Sequence, residues 1–554
     1  MIGVKTLTLN NKTVILENGK IKNHFEYFNI FFSASVIYAL LSVVLIYNNV
    51  NGIGKTLFVF LTCAYSFYCL SKAGIKIKTG AITLMVFIGL LGISIFNTSD
   101  RLVIFINEVF MFISLIILLV HSYVNDDEWQ LAEYIKSFMR TVFVPLALIG
   151  RITPKSEINY ERSIGVHLNN DTEDVTQNNM TNTDNKCDTT KIVSKIGYVL
   201  IGLFMSFCLL IIILPLLFSA DELFEELFTS MITSINVITY DVTDLFCMAI
   251  LFIFILLASF LGIKYLNLGE ANNTKVRERG KVNELIGITV FVVISLVYVM
   301  FSFVQIFGLF LNKMHLPAGE TFSSYAREGF FQLLNVALMN LIMIVVSFYL
   351  FNKSKIIKIL LTIISICTYI MLTSSIYRLV LYIGEYHLTK LRLYAFWGLI
   401  VVFFGLTGAV ISIYNEKFKF ARYGFITLLT LWTVFSFMRP EYVIAIYNVS
   451  KSASENIDLD YIASFSSDAS GPIYEYLVNN KSKFGDMKKE DWEYYSSVKS
   501  TDFFFENDFC NYDKIKEYFA WQYKGANNNE LKFNLSKWSF NNRRDLAKEI
   551  LLKK

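Results

Sequence analysis

Two groups of polar residues interrupt otherwise apolar segments, and they hold the side chains that could do chemistry. In the first group Glu328, Gln332 and Asn335 are spaced i, i+4 and i+7, so on a helix they form one polar stripe about two turns long. Asn340 lies about 140° away from Asn335 on such a helix, so it faces a different neighbour. The second group ends one apolar segment and opens the next, and most of its members could share one side of a helical hairpin: Arg378, Tyr382, Glu385, Tyr386 and Arg392.

Arginines in both groups suggest recognition of an anion. Arg327, Arg378 and Arg392 carry planar guanidinium groups, which bind carboxylate or phosphate through paired hydrogen bonds. The candidate binding set comprises Tyr325, Arg327, Glu328, Gln332, Asn335, Arg378, Tyr382, Tyr386 and Arg392. The alternative is that these groups satisfy one another as interhelical hydrogen bonds, each worth about 0.6 kcal/mol in a membrane. The sequence leaves both interpretations open.

Motifs of catalysis and metal binding are absent from the sequence. It contains no phosphate-binding loop, no His-Glu-x-x-His and no Gly-x-Ser-x-Gly, and its five histidines form no cluster. We therefore expect no cofactor and no metal, and lean against an enzyme. The formal net charge of +4, from 50 basic and 46 acidic residues, argues against a nucleic-acid partner.

The composition places these residues in a membrane protein. Of the 554 residues, 54% are hydrophobic and only 17% are charged, with a mean hydropathy of +0.48, whereas soluble domains carry about 25% charged residues. A spanning helix needs about 20 apolar residues. Eleven segments qualify: 28–49, 56–71, 80–97, 102–122, 196–219, 243–265, 285–311, 329–351, 356–384, 391–414 and 420–438.

Lysine and arginine in the connecting loops predict the orientation. The loops on one side hold eighteen of them and the loops on the other side hold six. Because basic loops stay in the cytoplasm, we expect a cytoplasmic N-terminus and an extracytoplasmic segment after the last span. Both polar groups then lie at the outer face, next to the start of that segment.

The predicted fold class is an all-α integral membrane protein of about eleven transmembrane helices followed by a small, mainly helical extracytoplasmic domain. An amphipathic pattern at 126–149, with Pro145 near its end, indicates a helix on the cytoplasmic face. The predicted domains are a cytoplasmic N-terminal segment (1–27), a first transmembrane group of about four helices (28–122), a cytoplasmic amphipathic helix with a disordered Asn/Thr/Asp-rich loop (123–195), a second transmembrane group of about seven helices (196–438) and the C-terminal domain (440–554).

Several motifs resemble a known family. They are Ser219-Ala-Asp221, Tyr325-Ala-Arg-Glu-Gly-Phe-Phe-Gln-Leu333, Arg378-x3-Tyr382-x3-Tyr386-x-Leu-Thr-x2-Arg392, Arg439-Pro-Glu441 and Ser467-Asp-Ala469-x2-Pro472. The chain resembles bacterial multi-spanning membrane proteins of the domain of unknown function 4173 family, with its 4153 relatives. The resemblance implies a bacterial cytoplasmic membrane but no activity. His387 departs from it, because glycine is expected at that position.

These observations favour a binding or regulatory scaffold of the cell envelope with an outward-facing polar site. Its expected partners are the lipid bilayer and an envelope polymer, a lipid headgroup or another membrane protein. A transporter or permease-like protein is one alternative, and a membrane enzyme acting on a lipid-linked or envelope substrate is the other.

Overall fold

The computed structural model describes most of the chain, and every structural statement below refers to that part. The described residues are 7–9, 12–14, 19–47, 52–151, 240–268, 282–307, 322–351, 354–415, 417–451, 458–484, 486–497, 511–520 and 532–552. Apart from a short antiparallel hairpin of β1 (Leu7–Leu9) and β2 (Lys12–Val14), the named elements of these residues are helical.

Eleven helices belong to the membrane part. They are α1 (Gly19–Ile46), α2 (Ile53–Lys72), α3 (Thr79–Asn97), α4 (Arg101–Tyr123), α5 (Leu131–Ala147), α6 (Tyr240–Asn267), α7 (Glu284–Gln305), α8 (Phe322–Leu350), α9 (Lys355–Tyr386), α10 (Lys390–Tyr414) and α11 (Phe420–Phe437). All except α5 are long and apolar enough to cross a bilayer, which gives ten candidate spans among the described residues. They correspond to ten of the eleven predicted segments, whereas 196–219 lies outside the described residues. The chain is therefore an all-α, multi-spanning membrane protein.

Several of these helices begin directly after a polar residue whose side chain caps the first turn. Asp100 caps α4 by accepting a hydrogen bond from the backbone amide of Leu102 at 2.9 Å. Ser354 and Thr389 cap α9 and α10 in the same way. Residues 98–100 and 387–389 both contact the C-terminal domain, and we call the end of the bundle where they lie the domain face. The other end is the opposite face.

Two hydrophobic cores hold the membrane helices together. The first packs α1–α4, α6 and α11 around large side chains such as Phe260 and Trp432. The second packs α7–α10 around Phe291, Phe330 and Leu399. Asn107 of α4 accepts a hydrogen bond from the indole nitrogen of Trp432 at 2.7 Å, so even this buried amide is satisfied.

The helix predicted near 126–149 is α5. Pro145 lies in its last turn, and a 3₁₀ turn (Leu148–Arg151) follows. The ring of Phe138 packs edge-on against Phe112, midway along α4, so part of α5 lies beside the membrane helices. The predicted Asn/Thr/Asp-rich loop lies outside the described residues.

The C-terminal domain is built from short helices. They are α12 (Pro440–Lys451), α13 (Leu459–Ala463), α14 (Ser470–Asn479), α15 (Lys481–Phe484), α16 (Lys489–Ser497), α17 (Asn511–Ala520) and α18 (Leu535–Leu551), with a 3₁₀ turn at Ser467–Ala469. Trp492, Phe519 and Phe540 are fully buried at the centre of its own hydrophobic core. Leu388, from the α9–α10 turn, belongs to the same core, so the domain packs directly on the membrane bundle.

Candidate functional site

The first predicted polar group lies on α8. Its backbone includes Tyr325, Arg327 and Glu328, whose side chains lie outside the described part of the structure. Gln332 and Asn335 are exposed on the surface of the helix. Asn340, by contrast, is 1% exposed and faces another direction, as its spacing predicts. It accepts a hydrogen bond from the Tyr298 hydroxyl at 2.7 Å and donates one to Thr368 Oγ1 at 2.9 Å.

Arg378 lies buried in the second core, one turn before Tyr382. One of its terminal nitrogens donates to Gln305 Oε1 at 3.3 Å, and Ser374 donates to the same oxygen at 2.7 Å. The guanidinium lies against Gly329, where a Cβ atom would fall only 1.8 Å from Arg378 Nη1. The structure therefore brings Arg378 to the α8 backbone beside Glu328, but it leaves Gln332 and Asn335 exposed.

Arg392 completes the turn between α9 and α10. It donates to the carbonyl oxygens of both Tyr386 and His387, and its guanidinium stacks 4.0 Å from the ring centroid of Tyr382. The rings of Tyr382 and Tyr386 contact each other edge-on at 5.3 Å. These three predicted residues, Tyr382, Tyr386 and Arg392, form one partly exposed patch at the domain face, which we call the aromatic rim.

A larger polar cluster, absent from the predicted site, joins the C-terminal domain to the bundle. Its centre is Asp468, which is almost fully buried in the 3₁₀ turn. One carboxylate oxygen accepts from the Ser99 amide at 3.1 Å, from Arg439 Nη2 at 3.0 Å and from the Ser536 hydroxyl; the other accepts from the Thr98 hydroxyl. The segment between α3 and α4 is thereby bound to two elements of the domain.

A second carboxylate binds the other helix group. Glu441 pairs with Lys390, at the start of α10, and its second oxygen accepts from the amide and hydroxyl of Ser466, the amide at 2.8 Å. The Tyr461 hydroxyl accepts from the Lys390 amide at 2.7 Å. Asn448 exchanges two hydrogen bonds of 3.0 Å with the backbone of Leu388. We call Asp100, Lys390, Arg439, Glu441 and Asp468, with their hydroxyl partners, the junction cluster.

Three carboxylates share two cations in the junction cluster, and burial shifts the pKa of two of them, Asp100 and Glu441. Asp100 is 3% exposed, and its Oδ2 atom has no hydrogen-bond partner. Burial raises the pKa of Asp100, although the charge of Lys390 acts in the opposite direction. Burial also raises the pKa of Glu441, and the nearby charge of Asp100 adds to the effect. Asp100 and Glu441 therefore ionise less readily than carboxyl groups in water.

The opposite face carries a smaller ion network. Asp126 is buried, and its carboxylate accepts hydrogen bonds from His121 Nδ1 at 2.9 Å and from the Tyr134 hydroxyl at 2.5 Å. It also forms an ion pair with Arg422 Nη2 at 2.8 Å. Burial alone would raise the pKa of Asp126, but these hydrogen bonds and the charges of His121 and Arg422 outweigh it, so the pKa is lowered. This network ties the α4–α5 loop to α11.

A comparison with protein families identifies the family of the chain. The model of a family described as a domain of unknown function, DUF4153, matches residues 84–476. The chain belongs to the DUF4153 family. The 4153 part of the sequence-based resemblance is thus confirmed, whereas membership of the 4173 family stays a prediction. No curated protein and no solved structure shows significant similarity to the chain.

The DUF4153 region contains the whole charged part of the junction cluster. It begins within α3 and ends within α14, so it includes Asp100, Lys390, Arg439, Glu441 and Asp468 but not Ser536. The Arg439-Pro-Glu441 and Ser467-Asp-Ala469 motifs pointed to part of this cluster. Asp100 gave no signal, because it reads as an ordinary loop residue.

Proposed function

We propose that this DUF4153 protein is a binding or regulatory scaffold whose C-terminal domain and membrane helices act as one unit. The observation that supports the proposal best is the junction cluster. It binds the domain to the α3–α4 segment through Asp468 and to the start of α10 through Glu441, so each hydrophobic core is attached separately. A partner that binds the domain face would therefore contact a surface held rigidly to both helix groups.

The aromatic rim is the proposed binding surface. Tyr386 is 50% exposed, and the Arg392 guanidinium is held in place by two carbonyl groups and the Tyr382 ring. A fixed arginine beside the exposed Tyr386 and the half-buried Tyr382 suits an anionic envelope polymer, an anionic headgroup or an acidic protein segment. Arg327 and Glu328, two turns or less from Gln332 along α8, remain part of the proposed site.

The orientation proposed from the loop charges places the domain face outside a bacterial cytoplasmic membrane. It agrees with the positions of Lys390 and Arg392 in the sparsely charged loops and of Lys417 and Lys419 in the basic ones. Protease added to intact spheroplasts should then remove residues after 440. Cleavage only after the spheroplasts are broken would contradict this orientation.

Photo-crosslinking from the aromatic rim tests the binding role. A benzophenone amino acid replaces Tyr386 and, as a matched control, Tyr414, which is 60% exposed at the other end of α10. We expect a discrete, reproducible adduct in native membranes from position 386 and none from position 414. Identical adducts at both positions, or none at 386, would argue against a binding surface at the rim.

A disulfide across the junction cluster tests the rigid attachment. The hydroxyl oxygens of Ser99 and Ser467 are 2.5 Å apart, close enough for cysteines there to pair on oxidation. In a strain that depends on the protein, the Ser99→Cys/Ser467→Cys variant should support growth equally before and after oxidation. Loss of growth on oxidation, reversed by dithiothreitol and absent from each single variant, would show that the domain must move.

A transport role is the second candidate, because buried polar side chains form a column through the second core. The level nearer the domain face consists of Gln305, Ser374 and Arg378. A second level consists of Tyr298, Asn340 and Thr368. The two levels are about 10 Å apart, because Tyr298 and Gln305 are two turns apart on α7. Buried polar residues inside spans often mark ion or proton paths.

Reconstituted protein distinguishes this role from the scaffold. Proteoliposomes with an internal pH dye and an imposed potassium potential would acidify if the column conducts protons, and Asn340→Leu should abolish the signal. A signal no larger than that of empty liposomes would contradict proton transport and leave the scaffold as the better account.

A further inference from the structure

A groove opens at the opposite face, away from the junction cluster and the aromatic rim. It lies where α8 and α10 end and where α5 and α11 begin, so it separates the two hydrophobic cores at the level of the membrane surface. Its volume is about 260 Å³, below the roughly 300–1,000 Å³ of drug-sized pockets. The groove therefore has room for a small polar group but not for a whole lipid molecule.

The walls of the groove are apolar on the membrane side. Val345 and Phe348 come from the last turns of α8, and Leu131, which is largely exposed, comes from the first turn of α5. Because α8 spans the membrane, these side chains continue the surface that faces the acyl chains. A ligand here would have an apolar part directed into the bilayer.

Among its described residues, the edge of the groove carries one cation and one anion without an ion-pair partner. Asp127 is already neutralised by Lys419 Nζ at 2.6 Å and by Arg422 Nη2 at 3.4 Å. Lys417 and Glu128 are exposed, and neither side chain forms an ion pair with another residue in the described part of the chain. Lys417 precedes the first turn of α11, which has no side-chain cap, so its positive dipole end adds to the same site.

We propose that this groove binds the headgroup of a phosphatidylethanolamine-type lipid. The phosphate lies against Lys417 and the start of α11, the primary ammonium donates hydrogen bonds to Glu128, and the acyl chains leave along Val345 and Phe348. A trimethylammonium group has no N–H to donate to Glu128, and a glycerol headgroup has no positive charge. The lining therefore selects ethanolamine over choline and glycerol headgroups.

Native mass spectrometry of the purified full-length protein tests the selectivity. Phosphatidylethanolamine, phosphatidylcholine and phosphatidylglycerol with identical acyl chains are added separately, and bound lipid is counted. We expect the ethanolamine lipid to bind about fivefold more tightly than the other two, the effect of about one favourable charge contact near a membrane surface. Glu128→Gln should remove this preference, whereas Lys417→Gln should weaken the binding of all three lipids, because all three carry the phosphate.

Lys355→Gln is the matched control, because Lys355 is also exposed at the opposite face but lies outside the groove. It should bind lipid as the unmodified protein does, and all variants should elute as the same species on size exclusion. Equal binding of the three lipids, a preference for phosphatidylglycerol, or unchanged binding by Glu128→Gln would each overturn the proposal. Displacement of the lipid by millimolar inorganic phosphate would also overturn it and indicate a site for a free anion.

Discussion

At the scale of single residues, the turn between α9 and α10 combines a strained backbone with a specific side-chain cap. His387 has φ of 63° and ψ of 175°, a conformation adopted almost only by glycine. Arg392 donates to the carbonyl of His387 and to that of Tyr386, which holds the turn in this conformation. The resemblance to the family predicted glycine here, and the backbone shows the physical reason.

Replacing His387 by glycine should therefore stabilise the protein. Relief of the strained backbone is worth about 1–3 kcal/mol, less the entropy that glycine adds to the unfolded chain. We expect a higher melting temperature in detergent for His387→Gly. His387→Ala, which keeps a Cβ atom and loses the same ring, should give no increase, and an equal increase in both variants would refute the strain argument.

Gly329 is a second position where one atom decides the packing. Ala at 329 would place a Cβ atom 1.8 Å from Arg378 Nη1, so the buried guanidinium would have to move away from Gln305. We expect Gly329→Ala to lower the melting temperature. Gly398→Ala, in open space on α10, should instead raise it slightly, because alanine favours a helix by about 0.5–1 kcal/mol over glycine. Equal changes in the two variants would show that Arg378 adapts freely.

At the scale of elements, the junction cluster attaches the C-terminal domain to the membrane helices mainly through one short loop and one short turn. The segment between α3 and α4 has only three residues, yet two of them bind Asp468 directly. Asn534, just before α18, adds hydrogen bonds to the carbonyls of Ile95 and Thr98 at 3.1 and 2.9 Å. Helix ends of the bundle are thus capped by side chains of the domain, which saturates groups that α3 leaves unpaired.

Asp468→Asn should weaken this attachment strongly. Removing one partner of a buried ion pair costs about 3–5 kcal/mol, because Arg439 loses its counter-charge and the amide nitrogen of asparagine cannot accept from the Thr98 hydroxyl. We expect a lower melting temperature and faster proteolytic release of residues after 440. Asp460→Asn, at an exposed position on α13, should change stability by less than about 0.5 kcal/mol. Similar behaviour of the two variants would mean that Asp468 does not hold the domain.

At the scale of the whole molecule, the two faces should respond to pH in opposite directions. The raised pKa values of Asp100 and Glu441 mean that the folded protein binds protons that the unfolded chain releases, so their stabilisation is lost as pH rises above the ordinary carboxyl range of about 4. The lowered pKa of Asp126 has the reverse sign, and its stabilisation is lost as pH falls below that range.

Melting temperatures between about pH 5 and pH 8 separate these effects. Across this interval we expect the junction cluster to make the protein less stable as pH rises, because the raised pKa values of Asp100 and Glu441 extend their response above the ordinary carboxyl range, whereas Asp126 is already ionised. Glu441→Gln and Asp100→Asn keep a neutral side chain, so each should flatten the profile. If both variants kept the slope of the unmodified protein, the pH dependence would belong to other groups.

The sequence by itself determined the membrane class and most spans, since bilayer thickness fixes the length of apolar segments and every candidate helix had to satisfy it. It also placed Asn340 on a separate face from Asn335, because helical periodicity orients residues within one element. It indicated the aromatic rim through the spacing of Tyr382, Tyr386 and Arg392. For the residues after 440 it predicted a small, mainly helical domain.

Only the tertiary structure decided which distant elements meet. Thr98 and Asp468 are separated by 370 residues, and periodicity carries no information about the partner that a helix end will find. The same limit hid the groove at the opposite face, whose walls come from four separate helices. A residue's type and spacing fix the face that it occupies, whereas packing of the two cores and the domain fixes what that face contacts.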